Sequence, residues 1–329
     1  MGSNHLFYVH KWLSDRVLRV RELYPESPLY RRARKLRQQG EKIIDLTGNC
    51  INDPPAAVYE AIKRELPTGF PSPELRGLKT LRQALAEVEA KDTGREVDPD
   101  SQIIVFGGGG MQALNLTIQS TVNPEDEVVI LTPCFATDEM VKLSGGTPVF
   151  VRLKEVEGYK PDLNRLSESI TPKTKMIANK YLIKQVEKIF LWNAEFAPPI
   201  TQVGVEAAIR NSKEWMKDQI DGMKRKRDIL YSGLTKIDGF KIHKPLGGPT
   251  MFPDISHFEK DSMKFAYYLL ENAKVLVPPG IFYMGEGHIR MAFWGSGKVL
   301  TEEEMHEVVD RFRELVPKYD YSKYSMPDV

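Results

Sequence analysis

Ile103-Ile104-Val105-Phe106-Gly107-Gly108-Gly109-Gly110-Met111-Gln112-Ala113-Leu114 joins a β-rich run to a helical one through four consecutive glycines. A glycine turn that opens a helix aims unpaired backbone N–H groups and the positive end of the helix dipole at one point, which suits a phosphate. Glycines after a strand also mark ordinary tight turns. The neighbouring sequence has to decide between the two.

On either side of the turn, strand-like and helical stretches alternate. Glu127 to Leu131 and Pro148 to Leu153 are short and β-rich, whereas Leu78 to Ala90 and Met111 to Thr121 carry a helical period. This order predicts an α/β fold with a mostly parallel sheet covered by helices. From about Val203 a long helix is expected, with Met216, Ile220, Met223, Leu230 and Leu234 on one stripe and a solvated basic face at Lys224 to Arg227. A strand-like His288 to Phe293 follows, then a closing helix from Thr301 with Glu304 three residues on, a capping box. The last third therefore reads as a smaller α+β domain.

Composition narrows the partners. The 329 residues carry 46 Lys plus Arg against 45 Asp plus Glu, so nothing in the charge balance calls for nucleic acid or an anionic membrane. No apolar run has the length of a membrane span. Cys50 and Cys134 have no metal-binding spacing, as expected of a chain kept in a reducing cytoplasm. A small-molecule partner is the expectation.

Two further residues carry chemistry. Pro133-Cys134-Phe135 follows a strand end, which would set an aromatic ring at the same C-terminal sheet edge as the glycine turn, where open α/β sheets bind ligands. A Phe there serves equally as a core residue capping the strand. Arg290 alternates with Ile289 and Met291, so its guanidinium points to the face opposite theirs. It calls for an anionic partner, either an internal carboxylate or that of a ligand.

Taken in order, these blocks resemble the class I/II aminotransferases of the pyridoxal-phosphate fold-type I superfamily. Ser27-Pro28 through Ile44-Asp45-Leu46-Thr47-Gly48 is similar to the family's N-terminal arm and first substrate loop. Pro73 to Glu87, with Gly77-Leu78 and Leu81-Arg82, is similar to its "G-L-x-x-L-R" block. Gly107 to Leu114 resembles the phosphate turn, Pro133 to Gly146 the segment with the stacking aromatic, and Gly280 to Phe293 the carboxylate-binding strand.

The resemblance implies pyridoxal 5'-phosphate as cofactor, an amino acid and a 2-oxo acid as substrates, and a homodimer. It implies an N-terminal arm with part of the small domain over residues 1–44, a large cofactor-binding domain over 45–200 and a small C-terminal domain with its long connecting helix over 201–329. It further implies that the amides of Gly109, Gly110 and Met111 hold the cofactor phosphate and that Phe135 stacks on the pyridine ring. Arg290 would grip the substrate α-carboxylate, which the Gly48 backbone approaches. Phe70 stands where the family places a tyrosine that reaches a phosphate across the dimer, and it has no hydroxyl.

The chain departs from the family between Ala178 and Asn179. Lys175-Met176-Ile177-Ala178 resembles the end of one strand, and Asn179-Lys180-Tyr181-Leu182 a segment several βα units later. The family places between them its "N-P-x-G" turn, the Asp on the pyridine nitrogen, the Tyr on the ring oxygen and the "S-x-S-K" lysine. Lys180 and Lys184 read as charged positions at the start of an amphipathic helix, so no catalytic residue is assigned. That lysine forms the internal Schiff base and then shuttles the proton, and the Asp keeps the ring an electron sink. The chain as written is not expected to transaminate. Three accounts fit: an enzyme whose active-site stretch is missing from this sequence, a shortened non-catalytic relative that binds or pairs with something, or an edited or designed chain on the same frame. Within the superfamily, elimination or decarboxylation is the alternative chemistry.

Overall fold

The computed structural model describes residues 14–21, 27–48, 54–67, 69, 74–176, 197–295, 299–320 and 323–326. The junction between Ala178 and Asn179, Lys180, Lys184, Phe70 and Cys50 lie outside the described residues.

The glycine turn leads into α5, and the elements are introduced in chain order around it. Those before it are α1 (Asp15–Leu18), α2 (Pro28–Gln38), β1 (Ile44–Asp45), α3 (Ala56–Glu65) and α4 (Lys79–Thr93). After it come α5 (Gly109–Thr121), β2 (Glu127–Thr132), α6 (Thr137–Leu143), β3 (Thr147–Arg152) and α7 (Leu163–Glu168). The C-terminal part holds α8 (Pro199–Asn211), α9 (Lys213–Leu234), β4 (Thr250–Met251), α10 (Ser262–Tyr268), β5 (Val275–Leu276), β6 (Met291–Ala292) and α11 (Glu302–Leu315).

β2 and β3 pair in parallel over six residues each, from Glu127 opposite Thr147 to Thr132 opposite Arg152. The far edge of β2 meets the returning chain at its start, where the Glu127 N–H donates to Lys173 O (2.8 Å) and Lys175 N–H to Glu127 O (2.9 Å). Val128 and Ile130 are buried beneath Ile118 of α5, Val122 just after it, and Met140 and Val141 of α6. In the neighbouring strand, Phe150 is half exposed. A parallel sheet is normally covered on both faces; among the described residues this one has its full cover on one.

The expected strand Ile103 to Phe106 forms no ladder among the described residues. Its Val105 N–H donates to Arg76 O at 2.9 Å, and Ile104 and Phe106 pack on Leu116 of α5. A strand needs a neighbouring strand to satisfy its amides, and among the described residues none runs beside this stretch. Local β preference alone therefore does not make it a strand.

The larger apolar cluster gathers α2 (Leu29, Ala33, Leu36), the end of α9 (Leu230, Leu234), Phe265 of α10 and Met305, Val308 and Phe312 of α11. Only the C-terminal half of the α9 stripe is buried; Met216 and Ile220 are largely exposed. Lys226, expected on the solvated face, is instead buried and donates to Leu300 O at 3.0 Å, its charge disfavoured by burial. The Thr301–Glu304 capping box is present in both directions.

Candidate functional site

Three of the expected site residues are brought together by β1, β6 and the segment after β2. The Ala292 N–H of β6 donates to Leu46 O (2.8 Å), which lays the Arg290 end of β6 beside Thr47 and Gly48. Ile289 and Met291 are fully buried on the core side. Arg290 takes the opposite direction, as alternation requires. Its Nη1 donates to Thr47 O at 3.1 Å and to the Tyr283 hydroxyl at 3.1 Å. Both partners are neutral, so these contacts orient the guanidinium without discharging it.

Phe135 reaches the same group from the sheet. The Cys134 N–H donates to Tyr283 O at 3.1 Å, and the rings of Phe135 and Tyr283 lie 5.5 Å apart at 39°. Burial pushes the Cys134 thiol up, away from thiolate character. A cavity of about 370 Å³ opens beside Arg290, walled by Tyr159, His243, Leu246, Met251, Phe252 and Tyr283 among others. Among the described residues its lining contains no lysine and no carboxylate. Tyr283 and this aromatic wall were not legible in the sequence; the one signal was that Tyr283 lies in the Pro-Gly loop leading to Arg290.

The glycine turn opens α5, the helix that leads into β2. Gly108 caps α5, and its N–H donates to the Gln112 side chain at 2.8 Å. Gly109 takes a left-handed φ of +67°, and a Cβ on Gly109 or Gly110 would meet nothing within 4 Å. The amides of Gly109, Gly110 and Met111 precede the first intrahelical bond, and all three residues are exposed. On the flank, Pro198 approaches Gly107 so closely that a Cβ there would stand 2.9 Å from its Cδ. Gln202 of α8 locks this return, accepting from Leu78 N–H (2.6 Å) and donating to Ala197 O (2.7 Å).

The parallel β2–β3 pair, the helices that flank it and the oriented arginine define an α/β protein. Residues 41–182 and 182–312 match the aminotransferase class I and II family, and the chain belongs to it. It is 26% identical over 372 residues to the aspartate/prephenate aminotransferase of Thermus thermophilus, covering 87% of this chain and 94% of that one. The aspartate aminotransferase of Pyrococcus horikoshii is likewise 26% identical, over 88% of this chain and 95% of its own. Among solved structures, the Thermus thermophilus aspartate aminotransferase with maleate superposes with a TM-score of 0.82 at 25% identity, covering 92% of this chain and 99% of its own. The fold is accordingly fold type I, and pyridoxal phosphate is the cofactor of this family.

The described residues fit that cofactor in part. Three helix N-terminal amides suit its phosphate. The aromatic Phe135 is engaged with Tyr283, and the two acids that follow it, Asp138 and Glu139, are buried and tied to Arg21 and Lys142. No described lysine or carboxylate lines the cavity beside Arg290.

Proposed function

We propose that this chain is an aminotransferase-family protein that keeps the anion-binding half of the site and does not itself transaminate. In this reading Arg290, set by Thr47 and Tyr283, takes the α-carboxylate of an amino acid or 2-oxo acid, with the Gly48 backbone alongside. The amides of Gly109, Gly110 and Met111 take a phosphate. Phe135 flanks the bound group, and Phe70 offers no hydroxyl to it.

The observation that carries the reading is one of length. An alignment of 372 positions exceeds the chain's 329 residues, so the relative has residues with no counterpart here. The two stretches matched to the family meet at Leu182, close to where the "S-x-S-K" lysine would fall. Should the full set of βα units be present in another form of this protein, that form moves an amino group from an L-amino acid to a 2-oxo acid; the names of its relatives favour aspartate as donor. A cytoplasmic homodimer is the expected setting, with the exposed Met216 and Ile220 of α9 as apolar positions available to a second copy. The division into a large domain over 45–200 and a C-terminal domain over 201–329 belongs to the same proposal.

Borohydride treatment with added pyridoxal phosphate, followed by peptide mass mapping, tests it. The expected result is scattered, substoichiometric labelling and no turnover of amino acids with 2-oxoglutarate. A stoichiometric adduct at one lysine would refute the reading.

A further inference from the structure

Away from the carboxylate grip, Glu155, Asp254 and His288 converge from three segments. One ligand atom from each lies within 4.8 Å of the others, and His288 Nε2 stands 4.0 Å from Glu155 Oε2. Glu155 follows β3, whereas Asp254 and His288 face each other across an antiparallel bridge. We infer that these three side chains form a site for one divalent transition-metal cation, of the zinc or manganese kind, that pins the end of the parallel sheet to the C-terminal part of the chain.

The orientation of each group supports this. His288 Nδ1 lies 3.1 Å from Glu286 O, and a carbonyl only accepts, so Nδ1 carries the proton. Nε2 is the ring nitrogen that faces the carboxylates, and in the neutral ring it offers its lone pair to a metal. Metal-bound imidazoles are held in this way, the other ring nitrogen donating to a carbonyl or carboxylate. The imidazole is buried, and Phe252 stacks on it at 4.9 Å and 12°, fixing the ring plane.

Each carboxylate is likewise held from behind. The His243 N–H donates to Glu155 Oε1 at 3.0 Å, and the Ser256 N–H to Asp254 Oδ1 at 2.8 Å. One oxygen of each remains to face the imidazole. Metal–ligand bonds of about 2.0–2.2 Å put ligand atoms roughly 3.3–3.7 Å apart in tetrahedral or trigonal geometry. The 4.0 Å pair and the spacings of up to 4.8 Å therefore close on metal binding, which rotation of the two carboxylates toward the imidazole has to supply.

Two carboxylates and one imidazole form a mixed oxygen–nitrogen set that suits zinc or manganese better than calcium or magnesium. The site lies in a cavity of about 400 Å³ that leaves room for water to complete the coordination. Arg152, Lys154 and Lys241 also border this cavity, and Lys154 is paired with Glu157. An imidazolium paired with Glu155 is the competing arrangement, and metal titration separates the two.

The test is calorimetric titration of the metal-stripped, tag-free full chain with ZnCl₂ and, separately, MnCl₂, with thermal melts at saturation. We expect one equivalent bound at about 10 μM or tighter, a raised melting temperature, and at least a tenfold loss of affinity in both His288→Gln and Asp254→Asn. Folding of each variant is checked by circular dichroism, and if one fails to fold the other decides. No saturable binding by the parent chain, or unchanged affinity in a folded variant, would overturn the inference. The outcome does not depend on whether the chain binds pyridoxal phosphate.

Discussion

Arg290 and Tyr283 are joined twice: the guanidinium donates to the phenol at 3.1 Å and also lies over its ring, 5.4 Å from the centroid. The phenol thereby fixes both the direction and the plane of the arginine. A planar fork held this way is set for two parallel hydrogen bonds to a carboxylate, which a lysine cannot supply. Arg290→Lys should weaken 2-oxoglutarate binding by more than tenfold, about 1.4 kcal/mol or more. Tyr283→Phe, which keeps the ring and removes one hydrogen bond, should cost less than tenfold. Calorimetric titration of both variants checks the order, and equal losses would mean that the bidentate grip is wrong.

Gly109 separates conformation from sterics. A Cβ there meets nothing within 4 Å, yet φ is +67°. Gly109→Ala should therefore destabilise the chain by about 1 kcal/mol through backbone strain alone. If the turn cradles phosphate, the same change should also weaken inorganic phosphate binding. Chemical denaturation and phosphate titration measure the two effects separately.

The contact between α9 and α11 sets two known effects against each other. In an open helix Gly→Ala stabilises by roughly 0.5–1 kcal/mol. At Gly233, however, a Cβ would stand 2.6 Å from Val309 Cγ2. Overpacking typically costs about 1–3 kcal/mol, so Gly233→Ala should lower stability. Pairing it with Val309→Ala should recover part of the loss, as a double-mutant cycle would show.

Acid should loosen the N-terminal arm. Burial pushes the Glu139 carboxyl up, but hydrogen bonds from Arg21 and Lys142 outweigh this and hold it below its usual range. A carboxylate lowered in the folded state contributes stability above its unfolded value, about 4.3, and loses it as pH falls through the folded one. Arg21 is 38% exposed, so the contribution is limited to about 1 kcal/mol. Thermal melts from about pH 6 down to 3 should fall less steeply for Glu139→Gln than for the parent; parallel curves would rule this contact out as the cause.

The sequence displayed most of the elements that carry their own local signal. The alternation of α4, α5, β2 and β3 was legible because each follows its own period, and the capping box because Thr301 and Glu304 are three residues apart. Arg290 was legible as outward-facing by strand alternation. Ile103 to Phe106 reads as a strand, but a ladder depends on a partner, which no local pattern guarantees. Lys226 was misplaced because its burial is decided by Leu300, distant in sequence. The same distance hid Tyr283 as the partner of Phe135 and kept Glu155, Asp254 and His288 from forming any recognisable spacing. Of the proposed ligand residues, Gly48, Phe135 and Arg290 meet through Tyr283 and Thr47; that the glycine turn joins them is part of the proposal.

The chain is anchored on either side of residues 177–196 by contacts that owe nothing to that stretch. Glu127 clasps Lys173 and Lys175 on one side, and Gly107 and Gln202 seat Ala197 and Pro198 on the other. Those moorings hold both ends of the stretch through described residues alone.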